Sequence, residues 1–164
     1  PNTNSICANS NSIPEFVDFD EQFAKFLGWF IAEGHYSGKS CIRMNFNLNE
    51  RPIVEELKQY IEKTFGLSAR IFITHGNGGN SLRLEFGSKL LSEVLETLVG
   101  KKSVNKHLPP FFVQLPTNVL VTLIESHFSG DTGVTKSHRL AQELFFARLL
   151  IQHKPLFKPK YSED

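Results

Sequence analysis

Two segments of this chain carry small side chains at every fourth position, and this spacing constrains how they can pack. Residues four apart lie on one face of an α-helix, so each segment predicts a helix that another backbone can approach closely. An acidic residue follows the last small one in each case, Glu33 in the first segment and Asp131 in the second. The small residues are Ala24, Gly28 and Ala32 in the first segment and Thr122, Ser126 and Gly130 in the second.

The matching spacing predicts that the two helices pack as a close pair about a pseudo-twofold axis. Such a pair would bring Glu33 and Asp131 together at one end, where two carboxylates are suited to hold Mg²⁺ or Mn²⁺. The alternative is that each acid is an ordinary polar residue at a helix end, although a negative charge there opposes the helix dipole. The residues expected in the helix contact are Gly28, Ala32, Ser126 and Gly130.

The remaining hydrophobic pattern predicts an α+β protein in which strands lie between helices. Apolar and polar residues alternate from Ser40 to Leu48, which indicates a half-buried strand. The expected elements are a helix capped by Asp18 or Asp20, the strand at 40–48, a helix capped by Asn49 and ended by Gly66, strands at 69–75 and 81–86, a helix at 88–100, the second motif helix at about 117–130, and a last helix from Ser137.

The order of elements suggests an internal duplication whose second half is too short. Only six positions separate Asp131 from Ser137, which cannot hold a hairpin of two strands of about five residues each. We expect that the second half is truncated or that segments are missing, and we favour missing segments. Disorder is expected between Asp131 and Ser137 and again after about Leu150. The predicted division is a linker at 1–15, a first half at 16–112, a shortened second half at 113–154 and a tail at 155–164.

Three sequence segments resemble the LAGLIDADG homing endonucleases, most of all the endonuclease domains of inteins. Phe26–Gly34, FLGWFIAEG, is similar to the nine-residue signature of that family, with Glu33 in place of the final Asp. The second copy, LIESHFSGDTG, departs further, because Ser126 and Thr132 stand where the family has Gly. The segment Asn105–Phe111, NKHLPPF, resembles the one that precedes the second motif in intein endonucleases.

The resemblance implies two pseudo-symmetric αββαββα halves that form a DNA-binding saddle. It implies cleavage of double-stranded DNA at a long asymmetric site, with Mg²⁺ held by Glu33 and Asp131. Lys106 would polarise the attacking water or stabilise the phosphate; the alternative is a solvated lysine in a basic loop. The polar strand faces would contact DNA, unless they form a plain solvated sheet. The DNA-binding residues expected are Lys39, Arg43, Asn45, Asn47, Arg70, Thr74 and Arg83.

Two other functions stay open at this point. A fold with a lapsed site would bind DNA, or an intron RNA, without cutting it, and the degenerate second motif at Thr132 favours this. The chain would otherwise be a remnant within an intein, fused to a splicing domain, although no terminal splicing residues are visible. The net charge of +1 does not by itself indicate a nucleic-acid-binding protein. No apolar run reaches the ~18 residues of a membrane span, and we expect an intracellular protein.

Histidines offer no zinc site in the sequence. The six residues are scattered, and no pair has zinc-like spacing with a cysteine. His127 lies inside the second motif helix and is expected to be packed in the core rather than to bind a metal.

Overall fold

The structure, a computed structural model, describes residues 13–76, 79–131 and 135–153. These residues form five α-helices and a four-stranded antiparallel sheet, which confirms the predicted α+β class. The elements are α1 (Glu21–Glu33), β1 (Gly34–Ser37), β2 (Cys41–Asn47), α2 (Arg51–Phe65), β3 (Ala69–Gly76), β4 (Gly79–Gly87), α3 (Lys89–Val99), α4 (Thr117–Gly130) and α5 (His138–His153).

The sheet has the order β1-β2-β4-β3, and one of its faces forms part of the core. Strand alternation explains this, because successive side chains point to opposite faces. Antiparallel pairing aligns the apolar positions of β2 with those of β4, and all six are buried. The aligned pairs are Ile42 with Phe86, Met44 with Leu84, and Phe46 with Leu82.

Side-chain caps and a glycine define several helix ends. The Asp20 carboxylate accepts a hydrogen bond from the Phe23 amide at 2.8 Å, which starts α1. The Ser88 hydroxyl accepts one from the Leu91 amide at 3.2 Å, which starts α3. Gly66 ends α2 with a φ of 65°, a left-handed conformation that glycine adopts at little cost.

Two local predictions need correction, and one strand was not predicted. The strand expected to reach Leu48 stops at Asn47, because residues 48–50 form a 3₁₀ turn that leaves Leu48 46% exposed. This turn also moves the start of α2, so its N-cap is Glu50 and not Asn49. The short strand β1 had no prediction of its own, since four residues carry too little alternation to be recognised.

The short connection between α4 and α5 belongs to the chain itself. Helix α4 ends at Gly130 and α5 begins at His138, so only residues 131–137 join them in the continuous sequence. No segment is therefore missing between α4 and α5, contrary to the favoured expectation for that place. Within the described residues, no strand follows β4. Of the regions where disorder was predicted, residues 132–134 and 154–164 lie outside the described ones, whereas α5 continues beyond Leu150 to His153.

None of the helices in the described ranges has the length and apolar character needed to span a membrane.

Candidate nucleic-acid interface and carboxylate pair

Helices α1 and α4 lie side by side with their backbones almost in contact. A methyl group added to Gly28 would lie 2.5 Å from the Leu123 carbonyl oxygen and 2.7 Å from Ser126 Cβ. A methyl group added to Gly130 would lie 2.8 Å from Ala32 Cβ. Residue numbers increase together along both helices, so the pair is parallel. The C-terminal ends, with their acidic residues, therefore lie at the same end of the pair.

Glu33 ends α1 in an environment that disfavours its charge. Partial burial raises the pKa of its carboxyl group to about 7, and the negative charges of Glu50 and Asp131 act in the same direction. The positive charge of Lys106 opposes them. The carboxylates of Glu50 and Asp131 and the ammonium group of Lys106 thus act on Glu33 together. Glu50 was not predicted as a neighbour of Glu33, because the 3₁₀ turn that carries it was not predicted.

Lys106 is a largely buried residue that binds the C-terminal end of α1. Its ammonium group donates hydrogen bonds to the Ile31 carbonyl at 2.5 Å and the Gly34 carbonyl at 2.9 Å. Burial lowers its pKa to about 8, while Glu33 and Asp131 raise it. A cation at this position satisfies carbonyls that a helix end leaves without partners. Lys106 is therefore unlike the solvated loop lysine considered as the alternative.

Helix α5 holds the segment that carries Lys106. The Ser137 hydroxyl donates a hydrogen bond to the Lys106 carbonyl at 2.6 Å. The backbone amide of Leu108, two residues after Lys106, donates a hydrogen bond to a carboxylate oxygen of Glu143, also at 2.6 Å. Ser137, directly before α5, and Glu143, within α5, thereby position the Lys106 segment against α1.

Replacing Glu33 with glutamine should stabilise the protein at pH 8 and change little at pH 4. The folded-state pKa of about 7 exceeds the ordinary value of 4.5, so the folded protein binds more protons than the unfolded one in this window. The free energy of unfolding therefore falls as the pH rises between these two pKa values, by up to about 3 kcal/mol. Because Glu33 is only partly buried, solvent screening reduces the expected gain at pH 8 to about 1 kcal/mol.

Urea unfolding at both pH values measures this difference. Glu15, an exposed carboxylate outside the helices, provides the control as Glu15→Gln, which should have no effect at either pH. Equal effects of Glu33→Gln at pH 4 and pH 8 would contradict the electrostatic account.

His127 is buried beside this cluster with its ring unsatisfied. Its exposed fraction is 1%, and neither ring nitrogen has a hydrogen-bond partner among the described residues. Burial lowers its pKa, Lys106 adds to that effect, and Asp131 opposes it. The ring is accordingly neutral at pH 7 and packs edge to face on Phe128, as expected for a core histidine.

The cluster can offer a divalent cation two carboxylates. Within the residues that the structure describes, no group of three or more His, Cys, Asp or Glu side chains is arranged to hold a metal ion. Mg²⁺ commonly takes only one or two carboxylates and completes its coordination with water and substrate phosphates. Glu33 and Asp131 would supply as many carboxylates as an open Mg²⁺ site needs, and too few for a closed structural one.

A row of charged residues crosses the polar face of the sheet. Arg43, Glu85 and Arg70 are aligned in register on β2, β4 and β3. Glu85 is only 4% exposed, and its carboxylate lies 2.7 Å from Arg43 Nε and 3.6 Å from Arg83 Nε. Two of the arginines predicted to bind DNA are thus engaged by a carboxylate within the sheet. Arg70, on the edge strand β3, is exposed.

A second row lies next to the first and includes an aromatic ring. Asn45, Arg83 and Phe72 are aligned across the same three strands. The Arg83 guanidinium lies 5.2 Å from the centroid of the Phe72 ring, within the range of a cation–π interaction. Phe72 was not among the residues predicted to bind DNA.

A third row ends the polar face. Asn47, Ser81 and Thr74 are aligned, and the hydroxyl oxygens of Thr74 and Ser81 are 2.6 Å apart. Ser81 and Glu85 were missed as members of the predicted set, although both occupy alternate positions of β4. The structure thus brings six of the seven predicted DNA-binding residues to one face: Arg43, Asn45, Asn47, Arg70, Thr74 and Arg83.

Lys39 is the exception, because it lies outside this face. It occupies the turn between β1 and β2, where it lines a small depression together with Tyr36 and Lys101. The sequence pattern could not exclude it, since alternation says nothing about a turn residue.

Comparison with known proteins finds relatives of which this chain covers only a small part. No family model matches. An uncharacterized protein of Methanocaldococcus jannaschii is 31% identical over 80% of this chain and 17% of its own length. Transcription initiation factor IIB of the same organism is 27% identical over 93% of this chain and 22% of its own length. A DNA polymerase of Thermococcus hydrothermalis is 30% identical over 76% of this chain and 7% of its own length.

One solved structure, full-length WhiA from Thermatoga maritima, aligns with 70% of this chain and 34% of its own. The sequence identity is 14% and the TM-score is 0.43, so this likeness supports no conclusion about function.

These comparisons contradict the identification of the chain as a LAGLIDADG homing endonuclease of the intein type. The relatives reported above are an uncharacterized protein, a transcription factor and a polymerase. None of these names is that of a homing endonuclease or an intein. The physical reason lies in the motif itself, because any two helices packed as closely as α1 and α4 need small residues four apart. The spacing at Gly28 and Ser126 therefore does not require that function.

Proposed function

We propose that this chain is a module that binds double-stranded DNA through the polar face of its sheet. The observation that carries the proposal is the composition of that face, which combines three arginines with amide and hydroxyl groups around one carboxylate. We call it the polar sheet face and define it by Arg43, Asn45, Asn47, Arg70, Phe72, Thr74, Ser81, Arg83 and Glu85.

The side chains of this face are suited to both kinds of DNA contact. Arginine pairs with two acceptors of guanine in the major groove, and asparagine pairs with adenine in the same way. Asn45 and Asn47 are exposed and lie near Arg83, so neighbouring strands offer both kinds of base contact. Arg70, on the edge strand, is available to a phosphate, which positions the protein without reading sequence.

The charge pattern favours DNA over a protein partner of mixed charge. Glu85 holds Arg43 and Arg83 close to the strands and leaves the face with a net positive charge.

The deep, narrow major groove of an RNA helix is closed to side chains, so a sheet face of this kind favours DNA. Two of the relatives are a transcription initiation factor and a DNA polymerase, and these names also favour DNA as the partner.

The single sheet limits how much DNA one chain contacts. A saddle with two equivalent sides would need a second sheet after α4, and residues 131–137 leave no space for its first hairpin. The order αββαββα of the first half and the helix pair α1–α4 support descent from a duplicated fold. In this proposal, one chain covers one side of the duplex with its first half.

Two substitutions on the polar sheet face should change DNA affinity in opposite directions. Arg70→Ala should weaken binding and reduce the slope of log affinity against log salt by about 0.9, because one phosphate contact is lost. Glu85→Gln should strengthen binding and steepen the slope, since it releases Arg43 and Arg83 from a buried carboxylate. Fluorescence anisotropy with a labelled duplex across a salt series measures both.

The matched control is Arg51→Ala, which removes an exposed arginine at the start of α2 and should leave the slope unchanged. A labelled RNA hairpin in parallel separates DNA from RNA binding. Equal slopes for the wild-type protein, Arg70→Ala and Glu85→Gln would remove the polar sheet face from the interface.

We propose as a second candidate that the chain hydrolyses phosphodiester bonds with Mg²⁺ or Mn²⁺. The observation that favours it is the convergence of Glu33, Asp131 and Lys106 at the end of the helix pair. The two carboxylates would hold the cation, which supplies Lewis-acid activation of water when bound. Lys106 would keep the end of α1 in place through its carbonyl contacts and would offset negative charge near a phosphate.

A plasmid-nicking assay with Mg²⁺ tests the second candidate. Glu33→Gln and Asp131→Asn should each abolish nicking while leaving DNA affinity at the wild-type level or above, because both remove repulsion with phosphate. Glu15→Gln is the control. Nicking that survives in both variants would assign the activity elsewhere and end this proposal without touching DNA binding.

A further inference from the structure

A groove runs between α4 and α5 on the side of α4 that faces away from α1. It has a volume of about 600 Å³, and its apolar wall is formed by Val121 and Phe128 of α4 and by Ile151 of α5, all partly exposed. The opposite side of α4, with Ser126 and Gly130, packs on α1. The two faces of α4 are thus both apolar, and only one of them is covered by the paired helix.

The corresponding face of α1 is covered by the sheet. Phe26 and Trp29 of α1 contact Phe86 and Phe46 of the strands, with ring centroids 6.2 and 5.6 Å apart. Among the described residues, no strand covers α4 in the same way. Phe145, on the adjoining helix α5, is 67% exposed. Exposed apolar surface of this kind is typical of an interaction site.

The charges in the groove distinguish between classes of partner. Glu125 and Arg148 both line it and are both exposed. In the described part of the chain, neither forms an ion pair, and the Arg148 guanidinium lies over the Phe128 ring at 4.1 Å from its centroid. A partner of a single charge sign, such as a nucleic acid, would leave Glu125 opposed by like charge.

A twofold interface presents the same patch on both partners, so it must be complementary to itself. A groove with one acid, one base and an apolar wall meets this requirement. The acid of one copy can face the base of the other twice over, while the apolar walls pack together between the two pairs.

We propose that the groove between α4 and α5 binds a second copy of this chain in a twofold dimer. Glu125 of each copy faces the partner's Arg148, and the walls at Val121, Phe128 and Ile151 pack against their counterparts. The dimer carries two sheets, one on each side of its axis. This inference is independent of DNA binding, since the polar sheet face lies on another part of the molecule.

Sedimentation equilibrium on the full chain tests the proposal by charge exchange. Glu125→Arg and Arg148→Glu should each raise the dimer dissociation constant about tenfold or more, because each places like charges opposite each other. The double variant restores opposite charges with their positions exchanged, so its dissociation constant should return to within about threefold of the wild-type value. Lys102→Glu, an exposed charge reversal elsewhere, is the control.

Circular dichroism verifies that each variant is folded, and the milder Glu125→Gln and Arg148→Gln should weaken the dimer in the same direction. A wild-type chain that stays monomeric up to about 1 mM would overturn the proposal and leave the groove to another occupant. A dimer that is indifferent to the single reversals, or that the double variant does not restore, would also overturn it.

Discussion

Replacing Gly28 with alanine is expected to destabilise the protein by about 2–3 kcal/mol, the cost of overpacking a tight contact. The added methyl group would lie 2.5 Å from the Leu123 carbonyl oxygen and 3.0 Å from the His127 amide nitrogen. Both are backbone atoms of α4, so the two helices would have to separate. At an exposed helix position the same change should stabilise by about 0.5–1 kcal/mol, and the sign of the effect is therefore diagnostic.

Urea unfolding followed by circular dichroism measures the change in the free energy of unfolding. The larger Gly28→Leu should cost still more. Ser129→Ala, an exposed position on α4, is the control and should stay within about 0.5 kcal/mol of the wild-type value. A Gly28→Ala protein as stable as the wild type would show that the helices do not approach each other as described.

Replacing Lys106 with alanine is expected to cost about 3 kcal/mol, because it removes charge-assisted hydrogen bonds and leaves partly buried carbonyls without donors. The affected acceptors are the carbonyls of Ile31 and Gly34. The lost ammonium group would also leave Glu33 and Asp131 without their nearby positive charge. Lys102→Ala, in the same loop but exposed, is the control and should have little effect.

The pH dependence separates the role of the charge from that of the hydrogen bonds. The folded-state pKa of Lys106 is about 8, below the ordinary value of 10.5. Between these values the unfolded protein binds more protons than the folded one, so wild-type stability gains as the pH rises. The Lys106→Ala protein should lack this gain. Identical pH profiles for the two proteins would show that the lysine is not buried in its charged form.

Much of the fold was predictable because its pattern reports burial directly. Strands β2 and β4 carry apolar residues at every second position, since one of their faces is buried and the other is exposed. The cap at Ser88 and the glycine at Gly66 also have local causes. The 3₁₀ turn at Leu48–Glu50 was not predictable, because three residues provide no period to recognise.

The composition of the polar sheet face was predictable, but its ion pairs were not. Alternation alone placed Arg43, Arg70 and Arg83 on one face. That Glu85 engages Arg43 depends on which residue of β4 lies opposite which residue of β2, and register follows from the assembled sheet. The contacts of Lys106 were not predictable either, because its acceptors at the end of α1 are more than 70 positions away in the sequence.

The family identification was wrong because one sequence pattern has two causes. Small residues four apart allow α1 and α4 to pack closely, whatever the protein does. The acids at 33 and 131 follow from neither helix stability nor packing, and their role as metal ligands stays a prediction. The expectation of a missing segment between α4 and α5 was wrong for a related reason, because it took the symmetry of the helix pair to extend to the strands.

The most direct test of DNA binding by the polar sheet face is a titration of the ¹⁵N-labelled protein with a duplex, followed by amide NMR. Binding as proposed predicts that perturbed amides and side-chain resonances cluster at Arg43, Asn45, Asn47, Arg70 and Arg83, with α2 and α5 unaffected. Perturbations confined to the helices, or none at DNA concentrations up to about 1 mM, would contradict the proposal that this face binds DNA.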